Sequence, residues 1–447
     1  MAAEDDRLDR ADRPAREALR LHPFYRGKMQ TLPKCAIRDL ADFAIWYSPG
    51  VAAPCKAIHA DPAAVYEHTG KGNTVAVVSD CTRVLGLGDI GPAAGLPVME
   101  GKALLFKYLG GVDAVPICLD TRDPDEIVRT VELIAPAFGG INLEDIAQPK
   151  CFAILDRLRN RLSIPVWHDD QQGTATVMLA GLLNALEVTG RRLQDARIVL
   201  VGAGAANVAG YRLLRACGAD PARIVVCDSR GTLHHGREDL RAQQRESPDK
   251  WRICLETNPG AIAGGIDAAL AGADACIAFS CARADTIHPD WVRRMAPDPI
   301  VFACANPTPE IWPWDAKAAG ARVVATGRGD FPNQVNNSLV FPALFRGVLD
   351  VRARAITDAM AIAAARELAA CARDRGIDAD RIVPRMDEWE IYPRIAAAVG
   401  LAAQAAGVAA VAATREALME SANARMSAAR AATAALMREG LIPAPPS

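Results

Sequence analysis

Aromatic residues make up only 5% of this chain, and neither sign of charge is in excess: 51 Lys and Arg face 53 Asp and Glu, a formal charge of −2. The shortage of aromatics leaves Ala, Val, Leu and Ile to build the core. The lack of a basic surplus removes the electrostatic case for a nucleic-acid or anionic-membrane partner. No uninterrupted apolar run reaches the roughly 20 residues of a membrane-spanning helix. The nearest, residues 395–411, is Ala-rich and reads as a packed helix. The first 20 residues are charged and hold no apolar signal core. Twelve cysteines are present, but none are spaced Cys-x-x-Cys, so they read as reduced thiols and the expected location is cytoplasmic.

What is present is length and alternation. A chain of 447 residues predicts two or three domains with a sizeable core. After a helical or frayed lead-in, a first α/β unit is expected between residues 34 and 167. Its strands are placed at 74–78, 114–119 and 164–167, and its helices near 62–68, 101–109, 124–135 and 150–161. A long apolar helix over 174–187 bridges to a second unit. There, strands at 198–201, 224–227, 275–279, 300–303 and 322–325 alternate with helical stretches, the pattern of a parallel sheet covered on both faces. Beyond residue 337 the chain turns helical and Ala-rich, and residues 443–447 read as a disordered tail.

A nucleotide-type turn opens the second unit. The buried-strand run Arg197 to Val201 leads into Gly202-Ala203-Gly204-Ala205-Ala206-Asn207, and a helix follows. Gly202 permits the tight turn, Gly204 lets the backbone approach a pyrophosphate, and the helix N-terminus favours its charge. Asn207 stands where a third small residue is usual. Asp228 ends the next strand, where a carboxylate would bond an adenosine ribose and favour NAD. Its neighbours Ser229 and Arg230 suit a 2′-phosphate, so the choice between NAD and NADP stays open.

The other chemistry is acidic. Glu144-Asp145 and Asp169-Asp170 are separated by one helix and one short strand, a spacing that lets both pairs converge at the carboxyl end of a sheet. Such carboxylates suit a hard divalent cation, Mg²⁺ or Mn²⁺, with Glu144, Asp145 and Asp170 as candidate ligands. Adjacent carboxylates reach one ion only where the backbone bends, and Gly139-Gly140 offers a place for it. Asp169 is left for an outer position or a cation partner. The alternative is that Asp169-Asp170 caps the next helix. Lys102 is read as opening a helix, where the dipole favours its neutral form and so a general base. Tyr47, in a turn between apolar segments, could donate a proton.

Taken together, these stretches resemble the bacterial malic enzymes in their compact form. The resemblance rests on Tyr47 to Ala52, Val84 to Gly91, Val98 to Lys102, Phe138 to Ile146, His168 to Ala175, Gly202 to Ala206, Ala305-Asn306-Pro307 and Pro332 to Asn337, in the family's order. It implies an N-terminal α/β catalytic domain (1–170), a Rossmann-type doubly wound NAD(P)-binding domain (171–395) and an Ala-rich helical segment with a disordered tail (396–447). A phosphotransacetylase-like extension would not fit in this length. The implied roles are Tyr47 as general acid, Lys102 as general base tuned by Asp169, and Glu144, Asp145 and Asp170 as holders of Mg²⁺ or Mn²⁺. Arg83 would clamp a substrate carboxylate, Asn306 would contact cofactor and substrate, and Asn336 and Asn337 would bind the substrate carboxylate. The implied activity is oxidative decarboxylation of (S)-malate to pyruvate with NAD or NADP, with oxaloacetate decarboxylation as a companion and a homodimer or higher homo-oligomer as the assembly. The rival is a non-decarboxylating NAD(P)-dependent hydroxy-acid dehydrogenase, which has no use for the acidic cluster. Two further departures from the family pattern are Cys81, where glycine is common, and Ser280-Cys281-Ala282-Arg283, where a loop of small residues is usual.

Overall fold

A computed structural model describes residues 2–446, and side chains from Arg13 onward. Two parallel sheets organise the chain. The first has the order β2-β1-β3-β4, from β1 (Thr74–Ser79), β2 (Asp113–Cys118), β3 (Gly140–Leu143) and β4 (Val166–His168). The second has the order β10-β9-β8-β5-β6-β7, from β5 (Ile198–Val201), β6 (Ile224–Asp228), β7 (Gly231–Thr232), β8 (Ala275–Ala278), β9 (Ile300–Ala303) and β10 (Val323–Thr326). Every pairing is parallel except the short β6–β7 edge. Apolar side chains cover both faces of the second sheet. One core runs through the first unit, helix Thr174–Val188 and one face of this sheet, and a separate cluster with Val199, Val201, Val301 and Val324 covers the opposite face. That is the double covering a parallel sheet needs.

Two elements that shape the site differ from the sequence reading. β3 was not expected, because Gly-Ile-Asn-Leu is short and carries a polar Asn, yet all four residues are buried. The helix placed at 101–109 runs from Gly91 to Gly110. Gly91, Pro92, Gly95 and Pro97 disguise its first half, since glycine and proline ordinarily punctuate helices. Pro92 sits in the first turn, where its missing N–H costs nothing. Gly95 is required by packing: an added Cβ would lie 2.3 Å from Cys81 Sγ.

Helices beyond residue 340 return to the first unit. Phe106 meets Phe341 and Phe345 with ring centroids at 4.7 and 5.2 Å, and helix Arg415–Arg438 packs on helix Gly91–Gly110. Residues 443–446 have no regular structure, but the carbonyls of Pro443 and Pro446 accept hydrogen bonds from Tyr25 and Arg20. Met1 and Ser447 lie outside the described residues. No helix among the described residues is long and apolar enough to cross a membrane.

Candidate active site

The acidic residues follow directly from the register of the first sheet. β3 pairs with β4 in parallel, Leu143 beside His168, so Glu144-Asp145 and Asp169-Asp170 leave adjacent strand ends side by side. Carboxylate oxygens of Glu144, Asp145 and Asp170 all lie within 4.8 Å of one another. Glu144 and Asp145 are buried, at 3% and 4% exposure. The bend that joins the pair is at Asp145 itself, whose φ of +53° is left-handed, an uncommon conformation for a residue with a side chain. Gly139-Gly140 plays a different part from the one expected. An added Cβ at Gly139 would meet Lys71 O at 2.5 Å, so these glycines allow close packing where β3 begins.

Asp169 and Asp170 do not cap the following helix. They enter a wide turn, Asp169–Gly173, and the N-cap of helix Thr174–Val188 is Gly173, with no side-chain bond. Asp170 Oδ2 accepts the Asp145 backbone N–H at 2.8 Å. Asp169 is fully buried, and its Oδ1 accepts from Trp167 Nε1 at 3.0 Å while its Oδ2 faces Lys102 Nζ at 2.7 Å. Lys102 Nζ also lies 3.0 Å from Glu144 Oε1 and 3.5 Å from Asn337 Oδ1, over the Phe341 ring.

Lys102 therefore sits in the middle of a 20-residue helix, not at its N-terminus, and the dipole effect, confined to the end turns, does not act on it. Burial disfavours its ammonium form, but the charges of Asp169 and Glu144 outweigh burial and hold it above the usual lysine range. Burial and the crowding of like charges act on the acids. Glu144 is raised by burial, against the pull of Lys102. Asp145 is pushed up to about 8 by burial and then by Asp170. Asp170 is also raised, with burial again the main cause. Asp145 Oδ2 is buried without a hydrogen-bond partner. Three crowded carboxylates, one with an orphaned oxygen, fit a hard divalent cation: such an ion would relieve the repulsion and satisfy that oxygen.

Arg83 is exposed, its backbone N–H bonded to Asp145 O, and its charge acts on both Asp145 and Asp170. Asn336 spends its side-chain oxygen on the backbone N–H of Ser338. Tyr47 is not gathered into the cluster: it is 74% exposed on a segment rich in exposed apolar residues, and its hydroxyl has no hydrogen-bond partner among the described residues.

The glycine turn lies next door, since helix Ala205–Ala216, which it opens, packs on the turn Asp169–Gly173. Gly202 has φ +98°, and an added Cβ would sit 2.5 Å from Phe279 O, so no other residue fits. At Gly204 an added Cβ would meet nothing within 4 Å, which leaves backbone open to a pyrophosphate. Ala203 is buried, and Ala205 and Ala206 are half-buried in the first turn. Asn207 is fully buried, and its Nδ2 donates to the carbonyls of Val201 and Gly202, both at 2.9 Å. The departure from a small residue thus braces the turn from behind. Asp228 accepts the Arg230 backbone N–H and both terminal nitrogens of Arg237. Arg237 also bonds Asp239 and Thr232 O, so all of its N–H donors are engaged. Sequence reasoning missed Arg237, whose only signal was an Arg-Glu-Asp run after a turn. Ser229 and Arg230 are exposed beside Asp228, and Arg230 faces Asp239 at 3.3 Å. Asn306, half-buried in the loop after β9, has its Nδ2 packed against Gly327.

Residues 26–159 match the family model described as malic enzyme, N-terminal domain, and residues 171–406 match malic enzyme, NAD binding domain. The chain belongs to the malic enzyme family. It is 49% identical over 387 residues to the bifunctional malic/malolactic enzyme of Bacillus subtilis, covering 87% of this chain and 92% of that one. It is 48% identical over 377 residues to the NAD-dependent malic enzyme of Geobacillus stearothermophilus, covering 84% and 77%. The crystal structure of Entamoeba histolytica malic enzyme superposes with a TM-score of 0.96 at 47% identity, covering 99% of this chain and 92% of that one. Decarboxylating malate oxidation is the activity of malic enzymes, so the chain is an NAD(P)-dependent enzyme of that kind, and the non-decarboxylating dehydrogenase reading falls away.

Proposed function

We propose that this malic enzyme converts (S)-malate and NAD(P)⁺ to pyruvate, CO₂ and NAD(P)H, and that Lys102, Asp169 and the Glu144-Asp145-Asp170 cluster carry the chemistry. The observation that supports this most is one buried lysine nitrogen held between Asp169 and Glu144, with three carboxylates gathered beside it and the glycine turn next to them. A divalent cation held by Glu144, Asp145 and Asp170 would supply positive charge beside the substrate oxygens, and a nicotinamide cofactor at the glycine turn would supply the hydride acceptor. Lys102 Nζ takes the hydroxyl proton, and Asp169 holds that nitrogen in place from the side away from substrate. Asp169 first, and then Glu144, keep a proton on Lys102. Engaging Glu144 elsewhere would weaken that hold and ease loss of the Lys102 proton. Arg83, Asn336 and Asn337 bind the substrate carboxylates, and Asn306 lies between substrate and cofactor. Tyr47 returns a proton to carbon after CO₂ leaves.

Tyr47 reaches the site most simply in a homodimer. Leu40, Phe43, Ile45, Trp46 and Tyr47 are all exposed, Leu40 at 84%, and an apolar patch of this kind marks a contact surface. A second copy would cover it and bring Tyr47 to a buried lysine. The twelve free cysteines favour a reducing compartment, and we assign the enzyme to the cytoplasm. We divide the chain at 1–170, 171–395 and 396–447. The test is malate turnover with NAD⁺ and NADP⁺ in parallel, with and without EDTA. Equal yields of CO₂ and reduced cofactor, abolished by EDTA and restored by Mn²⁺, support the reading. Reduced cofactor without CO₂ overturns it.

A further inference from the structure

Glu310 is fully buried, and no lysine, arginine or histidine pairs with it among the described residues. Taking a carboxylate out of water is costly unless hydrogen bonds replace the lost hydration. Here three donors do so. Glu310 Oε1 accepts the Ser280 backbone N–H at 2.7 Å and the Ser280 hydroxyl at 3.0 Å, and Oε2 accepts the Ala305 N–H at 3.0 Å.

Those donors lie on two different loops. Ser280 follows β8 and Ala305 follows β9, neighbouring strands of the second sheet, and β8 also neighbours β5, which carries the glycine turn. One carboxylate therefore ties together the loop after β8, which packs on Gly202, and the loop after β9. Both loops press on their surroundings. Gly202 packs on Phe279 O and Ser280. Gly86, from the first unit, packs so tightly that an added Cβ would lie 2.5 Å from Asn306 O and 3.2 Å from both Ala282 and Pro307. The same first-unit segment includes Arg83, bonded to Asp145. The two loops thus pack both on the glycine turn and on the first-unit segment that reaches the acidic cluster.

We propose that Glu310 is a positioning residue that fixes the spacing of the Ser280 and Asn306 loops, and through them the nicotinamide half of the cofactor against the substrate. This rests on the proposed function for the identity of substrate and cofactor. Hydride transfer needs the nicotinamide in register with the substrate, whereas decarboxylation of added oxaloacetate involves no hydride transfer and uses the acidic cluster, Lys102, Tyr47 and the residues that bind the substrate carboxylates. A Gln in place of Glu310 keeps the shape but turns one acceptor into a donor facing another N–H.

The experiment compares Glu310→Gln with the wild type in three measurements: malate oxidation, Mn²⁺-dependent decarboxylation of added oxaloacetate, and NADH binding followed by nicotinamide fluorescence. The expected result is a drop of about 10²-fold in malate oxidation, the scale of a roughly 1 Å misplacement near the chemistry, with a much smaller loss of decarboxylation and weaker NADH binding. Parallel losses in both reactions, or NADH binding equal to wild type, overturn the proposal. NADH binding needs no malate chemistry, so it decides the role of Glu310 even if the wild type oxidises no malate, an outcome that would instead overturn the proposed function. Should Glu310→Gln fail to fold, Ser280→Ala removes only the hydroxyl bond. It should weaken NADH binding in the same direction and to a smaller extent, and unchanged binding counts against the proposal.

Discussion

At the level of single residues, Lys102 and Asp145 carry the site, and each does so by a route different from the one its sequence neighbourhood suggests. Lys102 is governed by Asp169 and Glu144 rather than by a helix end, and Asp145 supplies the backbone bend assigned to the glycines upstream. The acidic pairs stand out in the sequence, whereas Lys102 was singled out through the resemblance to the malic enzymes. Their partnerships were not legible, because Asp169 lies 67 positions from Lys102 and only the sheet register brings them together. A positioned acid or base contributes about 10²–10⁴-fold in rate. Lys102→Ala and Tyr47→Phe should each reduce malate turnover by that order; a Tyr47→Phe enzyme with wild-type turnover would exclude the acid role. Cysteine buried in the core offers a separate, pH-linked prediction. Burial pushes Cys227 up to about 12 from 9.0, so the folded thiol stays neutral while the unfolded thiol ionises. Its contribution is complete below about pH 9 and is lost progressively as pH rises toward 12, by as much as about 4 kcal/mol at roughly 1.4 kcal/mol per unit. Denaturant unfolding of Cys227→Ala across pH 8 to 11 should show a shallower alkaline decline than wild type.

Among the elements, helix Gly91–Gly110 does the most positioning. It presents Lys102 to the cluster on one turn and Phe106 to Phe341 and Phe345 on the next, and its last residues press on the C-terminal helices, since an added Cβ at Gly110 would lie 2.7 Å from Pro342 O. Its second half was legible and its first half was not, because two glycines and two prolines obscured the helical pattern. The five parallel strands of the second sheet were read to within a residue, since continuous Val, Ile and Ala runs leave little ambiguity, whereas the two-residue β7 was not expected. β3 escaped notice for the opposite reason: four residues with a central Asn give no periodic signal. Asn142 is polar because its Nδ2 donates to Glu144 at 2.9 Å, so the feature that hid the strand also serves the site. Phe106→Ala should cost about 3–5 kcal/mol by opening a cavity between this helix and helix Phe341–Asp350. Unfolding free energy measures the loss, and reduced malate turnover should accompany it because Lys102 rides on the same helix. A loss below about 1 kcal/mol would show that the aromatic cluster does not anchor the helix.

For the whole molecule, two parallel sheets carry the acidic cluster on one and the dinucleotide turn on the other, and the two sites are brought together where helix Ala205–Ala216 packs on the turn Asp169–Gly173. The segment around Leu40 to Tyr47 exposes apolar side chains, and the proposed dimer interface is assigned to it. Sedimentation should give a dimer, and Trp46→Asp should shift it to monomer with loss of malate turnover; a monomeric wild type with full activity would refute the assembly. The sequence could not show this surface, because apolar residues in short helices look alike whether they face a core or a second copy. The claim on which the rest depends is that Glu144, Asp145 and Asp170 grip one divalent cation beside Lys102. Its most direct test is Mn²⁺ binding to metal-stripped protein, wild type against Asp145→Asn and Asp170→Ala. The account predicts a single tight site in the wild type that is lost or greatly weakened in both variants, and unchanged Mn²⁺ affinity in either would contradict it.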